Sequence, residues 1–272
     1  MTGAAFFAQP FVRHAFEAGT GIALCCGLAG YFLVLRAQVF TGDALSHVAF
    51  TGSLAALAAG IDLRFGLFAA TVAIAIAMGL LGPSGRADDV VIGSIFVWIL
   101  GLGVLFLSIY TSTTSGANGT AGVAVLFGSI LGLSTGEARL ALGIGVGVSA
   151  AILAIARPLL YASLDEGVAA AQGLPVRALG IGFLGLVGVA AAETTQAVGA
   201  LLLLGLLAAP AAAALRFTTK PFLGLFVSAA LCLLSVWIGL GVSYAVPGLP
   251  PSFAMIATAV ILYAASAVRR PA

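Results

Sequence analysis

An aspartate and a histidine stand four residues apart in an otherwise apolar stretch, Gly42-Asp43-Ala44-Leu45-Ser46-His47-Val48-Ala49-Phe50. The chain holds only two histidines and is 7% charged, so an ionisable pair here is costly. Spacing i, i+4 on a helix puts both side chains on one face. A carboxylate and a neutral imidazole are donors for Zn²⁺, Mn²⁺ or Fe²⁺, with no decisive preference among them. Ionisable residues kept inside an apolar helix point to an ion or proton path. The same residues also allow a local reading: Gly42-Asp43 opens the apolar run, where Asp43 would cap the helix and His47 would hydrogen-bond a neighbour.

The elements that must hold this pair follow from composition. The chain is 62% hydrophobic, with mean hydropathy +1.21, against about 45–50% apolar and about 25% charged in soluble domains. It reads as an integral membrane protein. Its 36 glycines and long alanine runs suit helices in close approach. The alternating segments of a transmembrane β-barrel are absent from the sequence. The expected fold is all-α, a polytopic transmembrane bundle of about 8–10 spans in one domain over residues 1–272.

Ten apolar elements are legible: residues 16–35, 43–60, 65–81, 90–110, 121–133, 140–160, 176–192, 198–215, 222–246 and 253–268. The fifth is too short for a regular span, which needs about 17–25 residues, and reads as tilted, broken or re-entrant. A polar stretch over 111–120 precedes it, and Gly82-Pro83-Ser84-Gly85 and Pro247-Gly248-Leu249-Pro250-Pro251 are turns. Ten spans with both termini inside place eight basic residues in the cytoplasm: Arg13, Arg64, Arg157, Arg177, Arg216, Lys220, Arg269 and Arg270. Arg36, Arg86 and Arg139 then lie outside, as does Glu193, read as an exposed loop carboxylate. The N-terminus lacks the pattern of a cleaved signal peptide.

Several activities find no support. There is no G-x-x-x-x-G-K-[ST] loop and no H-E-x-x-H or G-x-S-x-G motif. The single lysine, Lys220, precedes a proline. Neither ATP hydrolysis nor an intramembrane enzyme is indicated. A net charge of +2 offers no basic field for nucleic acid. Cys25, Cys26 and Cys232 sit in apolar runs and read as small core residues. Asp88 and Asp89 open a helix, where acids favour the dipole, and His14 reads as interfacial. The stretch Leu164-Asp165-Glu166-Gly167-Val168-Ala169-Ala170-Ala171-Gln172-Gly173-Leu174-Pro175 predicts a short cytoplasmic helix capped by Asp165 and stopped at Gly173 and Pro175.

Four stretches, in order, resemble the membrane permeases of the zinc/manganese/iron class of ATP-binding-cassette importers. Gly42-Asp43-Ala44-Leu45-Ser46-His47 is similar to the family's G-D-x-[LI]-[AS]-H motif. Leu126-Phe127-Gly128-Ser129-Ile130-Leu131 resembles L-F-G-[ND]-[IL]-L, with Ser129 departing from the usual Asn or Asp. Residues 164–175 resemble its cytoplasmic coupling segment, and Gln196 to Leu202 with Ala209 to Ala214 its V-G-x-L-L…P-A-A-x-A helix. Some zinc-associated relatives carry a histidine in the following span, where this chain has Val97-Trp98.

The resemblance implies the type II importer permease fold, as a homodimer in a bacterial cell membrane. It implies cytoplasmic ATP-binding subunits, an extracytoplasmic metal-binding protein, and no cofactor in this chain, since the divalent metal is the substrate. Asp43 and His47 become a transient metal site, repeated across a dimer axis. Asp165, Glu166, Gly167, Ala170 and Gly173 become the coupling surface for the ATPase. The rival from the residues alone is an ATP-independent secondary transporter of a small solute.

Overall fold

A computed structural model describes residues 9–113, 126–201, 203–246 and 248–268. The ordered elements are helices: α1 (Pro10–Leu35), α2 (Val39–Ala58), α3 (Leu63–Leu81), α4 (Asp89–Thr113), α5 (Thr135–Leu164), the short α6 (Glu166–Ala171), α7 (Val176–Val198), α8 (Leu203–Phe217), α9 (Pro221–Ala245) and α10 (Pro251–Val268). Seven are long and apolar enough to cross a bilayer. The 20-residue α2, which carries Asp43 and His47, and the 15-residue α8 complete a bundle of nine long helices among the described residues.

Helix α1 is the hub, because its small residues let three neighbours approach its backbone. A Cβ on Gly21 would lie 2.7 Å from the Leu142 Cα of α5, and one on Gly30 would lie 2.1 Å from the Leu207 carbonyl oxygen of α8. On α9, the Ser228 hydroxyl donates to the Gly27 carbonyl at 2.6 Å. Lipid tails are as apolar as leucine, so such close packing and buried hydrogen bonds hold membrane helices together. All three cysteines are buried and unpaired, with Cys26 Sγ 3.0 Å from Thr194 Oγ1.

The structure decides one point that the sequence left open and corrects another. The described part of the fifth apolar segment, residues 126–133, does not cross the bundle. It holds a 3-10 turn (Ile130–Gly132) and wedges against the break between α7 and α8. Gly128 (φ 72°) and Gly199 (φ 103°) meet there, and Leu201 N–H donates to the Leu126 carbonyl at 3.4 Å. Residues 121–125, and 114–120 of the polar stretch, lie outside the described residues. An interrupted backbone at this depth is tolerated because protein groups satisfy it.

The correction follows from that point. With one fewer crossing, the two halves of the chain are no longer registered as ten spans require. The start of α1 meets the start of α5 through His14 and Thr135, 3.1 Å apart. The turn after α3 meets α6 through Arg86 and Glu166. Arg36, Arg86, Arg157, Arg177, Arg216 and Lys220 therefore gather at the α6 end, and Arg13, Arg64 and Arg139 at the other. Six of nine described cations mark the α6 end as cytoplasmic. The sequence-based placement of Arg36 and Arg86 outside, and of Arg13 and Arg64 inside, is reversed. Arg269 and Arg270 lie outside the described residues.

Glu193 is not a loop carboxylate. It lies inside α7, 2% exposed, with Oε1 3.7 Å from Arg64 Nη2. Breaking a buried pair by removing one partner strands the other charge. Arg64→Leu is expected to cost about 3 kcal/mol, at the low end for a buried pair because Arg64 is partly solvated. Arg64→Leu with Glu193→Leu should recover most of that loss. Thermal unfolding of the detergent-solubilised protein measures both, and a double variant no more stable than Arg64→Leu would refute the pairing.

Candidate functional site

The turn into α2 is tight. Ala37 adopts φ 55°, and Gln38 N–H donates to the Leu33 carbonyl at 2.8 Å. Helix α2 therefore starts at Val39, four residues earlier than the apolar run suggests. Asp43 lies one turn inside the helix, and its N-cap is Gln38. The capping role for Asp43 is thereby excluded.

Asp43 and His47 both remain half-buried on one face of α2, while Gly42, Ala44, Leu45, Ser46 and Val48 around them are buried. Neither side chain has a hydrogen-bond partner among the described residues. Ser46, between them, spends its hydroxyl on the Asp43 backbone carbonyl at 2.7 Å. The His47 ring stands edge-on to Phe96 of α4, with centroids 5.1 Å apart at 82°. That contact holds the imidazole plane while leaving the ring nitrogens uncommitted.

The Asp43 carboxylate opens on a cavity of about 390 Å³ between α2 and α4. Phe40, Asp43 and Ala44 line one wall, and Asp89, Ile92, Gly93 and Phe96 the other. Sequence reading treated Asp88 and Asp89 alike; the structure separates them. Asp88 Oδ1 accepts from Val91 N–H at 2.8 Å and caps α4, whereas Asp89 faces the cavity. The signal was present in the spacing of Asp89, Gly93 and Phe96, one helical face. No group of three or more His, Cys, Asp and Glu side chains comes together among the described residues.

The second predicted group lies at the same end of the bundle. Asp165 Oδ1 accepts from Val168 N–H at 2.9 Å and caps α6. Gly173 (φ 81°) ends it, with Leu174 N–H returning to the Ala169 carbonyl at 3.1 Å. Ala169 anchors the helix beside Ala162 and Val176. Asp165, Gly167, Ala170 and Gly173 are exposed and Glu166 is half-exposed. The segment is thus a short, braced helix that presents one face outward. Beneath it lies Arg36, 4% exposed. Burial, and then Arg86, lower its guanidinium to about 10 against the opposing pull of Glu166, so it is charged at neutral pH.

Residues 8–270 match the ABC 3 transport family. The chain belongs to that family. This family member is 30% identical over 214 residues to the manganese transport system membrane protein MntC of Halalkalibacterium halodurans, covering 77% of this chain and 70% of that one. It is 30% identical over 205 residues to the chelated iron transport system membrane protein YfeD of Yersinia pestis, covering 75% of this chain and 67% of that one. Its fold matches the solved structure of PsaBC from Streptococcus pneumoniae in complex with Fab, with TM-score 0.82 and 25% identity over 99% of this chain and 97% of that one. It is a multi-pass membrane permease of the ABC class, and its named relatives are transport proteins.

Proposed function

We propose that the chain is the permease subunit of an ABC importer for a divalent transition metal ion. Two of its relatives are named for manganese and chelated iron. The observation that carries the reading is the Asp43–His47 pair on one face of α2, without hydrogen-bond partners among the described residues, with Asp43 lining the α2–α4 cavity and the His47 ring against Phe96 of its opposite wall. A half-buried carboxylate and imidazole without partners inside an apolar helix are costly unless something charged passes them.

Two copies related by a two-fold axis would bring two Asp43–His47 pairs toward one path and supply the missing ligands. Helix α4 is suited to that contact, since Val97, Trp98 and Val104 project outward. The ion would arrive from an extracytoplasmic metal-binding protein and leave toward the α6 end. Separate cytoplasmic ATP-binding subunits would drive the change by docking on α6, whose outer face includes Asp165, Gly167, Ala170 and Gly173. Zinc, manganese and iron all suit the donors.

The test is reconstitution in proteoliposomes with the ATP-binding subunit and the binding protein. ATP-dependent uptake of ⁵⁴Mn²⁺, ⁶⁵Zn²⁺ or ⁵⁵Fe²⁺ is expected. Transport of a solute by the chain without any ATPase would overturn the reading in favour of a secondary transporter.

A further inference from the structure

The α6 end of the bundle is tied together by polar contacts that reach the helix carrying the metal pair. Arg86, in the turn after α3, donates from Nη1 to Glu166 Oε1 of α6 at 2.5 Å. The next residue, Ala87, is buried, and its carbonyl accepts from Gln38 Nε2 at 2.9 Å. Gln38 is the residue before α2, five positions ahead of Asp43. Its other amide atom is held as well, since Oε1 accepts from Arg36 Nε at 3.1 Å. A donor on one side and an acceptor on the other leave the Gln38 amide a single orientation.

Arg36 fixes this arrangement from below. Its guanidinium lies 5.7 Å from the Phe183 ring centroid of α7, while Nη1 and Nη2 have no hydrogen-bond partner among the described residues. Gln38 is itself 3% exposed, so its two hydrogen bonds are costly to lose. Ala87 also stands two residues before Asp89, the first residue of α4. The Gln38–Ala87 bond therefore holds together the starts of the two helices whose residues line the cavity. The Arg86–Glu166 pair attaches α6 to the same point.

We propose that Gln38 is a positioning residue that couples α6 to the α2–α4 cavity lined by Asp43. Displacement of α6 passes through Glu166, Arg86 and the Ala87 carbonyl to Gln38, and so to the start of α2, one turn ahead of Asp43. This rests on the reading of the chain as the permease of an ATP-driven metal importer. A linked set of hydrogen bonds between rigid elements is a physical route for coupling, and its proof is non-additivity on mutation.

Gln38→Glu is the discriminating variant. It keeps an oxygen for Arg36 but sets a carboxylate oxygen against the Ala87 carbonyl, cutting the strap at nearly constant volume. Glu166→Gln weakens the other end. ATP hydrolysis and ⁵⁴Mn²⁺ uptake are measured together in proteoliposomes holding the full complex, and ⁵⁴Mn²⁺ binding on the solubilised complex. Gln38→Glu is expected to retain binding and hydrolysis while uptake per ATP falls about tenfold, as for an ordinary coupling free energy. Gln38→Glu with Glu166→Gln should be no worse than the worse single variant. Unchanged uptake per ATP in Gln38→Glu, singles that multiply in the double variant, or binding and hydrolysis that fall in parallel with uptake would each overturn the proposal. A wild-type complex that takes up no divalent metal would instead sink the importer reading beneath it.

Discussion

Asp43→Ala and His47→Ala, at wild-type membrane abundance, should each lower ATP-driven metal uptake by about tenfold or more, and together abolish it. Loss of residues that merely orient metal ligands costs about 10–100-fold, and loss of a ligand itself should cost at least as much. The structure removes the main competing account. Asp43 does not cap α2, whose N-cap is Gln38, so its loss leaves the helix start untouched. His47 makes an edge contact with Phe96 rather than a hydrogen bond. Asp43→Asn tests charge at constant shape, and the expected result is the same loss. Asp89 provides a graded comparison: as an exposed cavity carboxylate it should matter less, so Asp89→Asn is expected to lower uptake only a few-fold. Undiminished ⁵⁴Mn²⁺ and ⁶⁵Zn²⁺ uptake by the Asp43→Ala, His47→Ala protein would remove the pair from the path.

Gly145→Ala should destabilise the bundle more than any other single methyl on the same stretch of α5. A Cβ there would lie 2.3 Å from the Gly21 carbonyl oxygen and 2.7 Å from its Cα. The obstacle is backbone, not a side chain that can rotate away, so α1 and α5 would have to separate. Overpacking typically costs about 1–3 kcal/mol, and a backbone clash belongs at or above the top of that range. Glycine to alanine in a helix otherwise gains about 1 kcal/mol. Gly143 and Gly147, with nothing within 4 Å of an added Cβ, isolate that gain. Gly143→Ala and Gly147→Ala should therefore be neutral or stabilising. Thermal unfolding of the three detergent-solubilised variants decides it. Equal melting temperatures would refute the α1–α5 approach.

Much of the fold was readable in the residues, and the failures have specific causes. Apolar runs located all nine long helices, most ends to within a few residues, because a backbone in lipid has few alternatives to a helix. The start of α2 was set too late because Gly42-Asp43 looks like a capped helix start. In the fold the turn closes on main-chain bonds at Ala37 and Gln38, which carry no strong signal. Glu193 was misread for a similar reason. Polar residues 193–196 look like a loop, yet Arg64 from α3 supplies a counter-charge and α7 runs through them. Gln38 was never singled out, since its distant partner, the Ala87 carbonyl, comes from the fold.

From composition, periodicity and the Asp43–His47 spacing, the sequence alone established a polytopic helical membrane protein with a candidate divalent-ion pair and a capped helix over 165–173. Each of these depends on burial in lipid or on contacts within one or two helical turns. Only the tertiary structure decided the number of crossings, and with it which cations share the α6 end. It also decided that Asp89 rather than Asp88 faces the cavity, and which of Gly143, Gly145 and Gly147 meets another helix. The reason is common to all of them: each depends on how distant segments pack, as where residues 126–133 wedge at Gly199, where α2 faces α4, and where α5 touches α1.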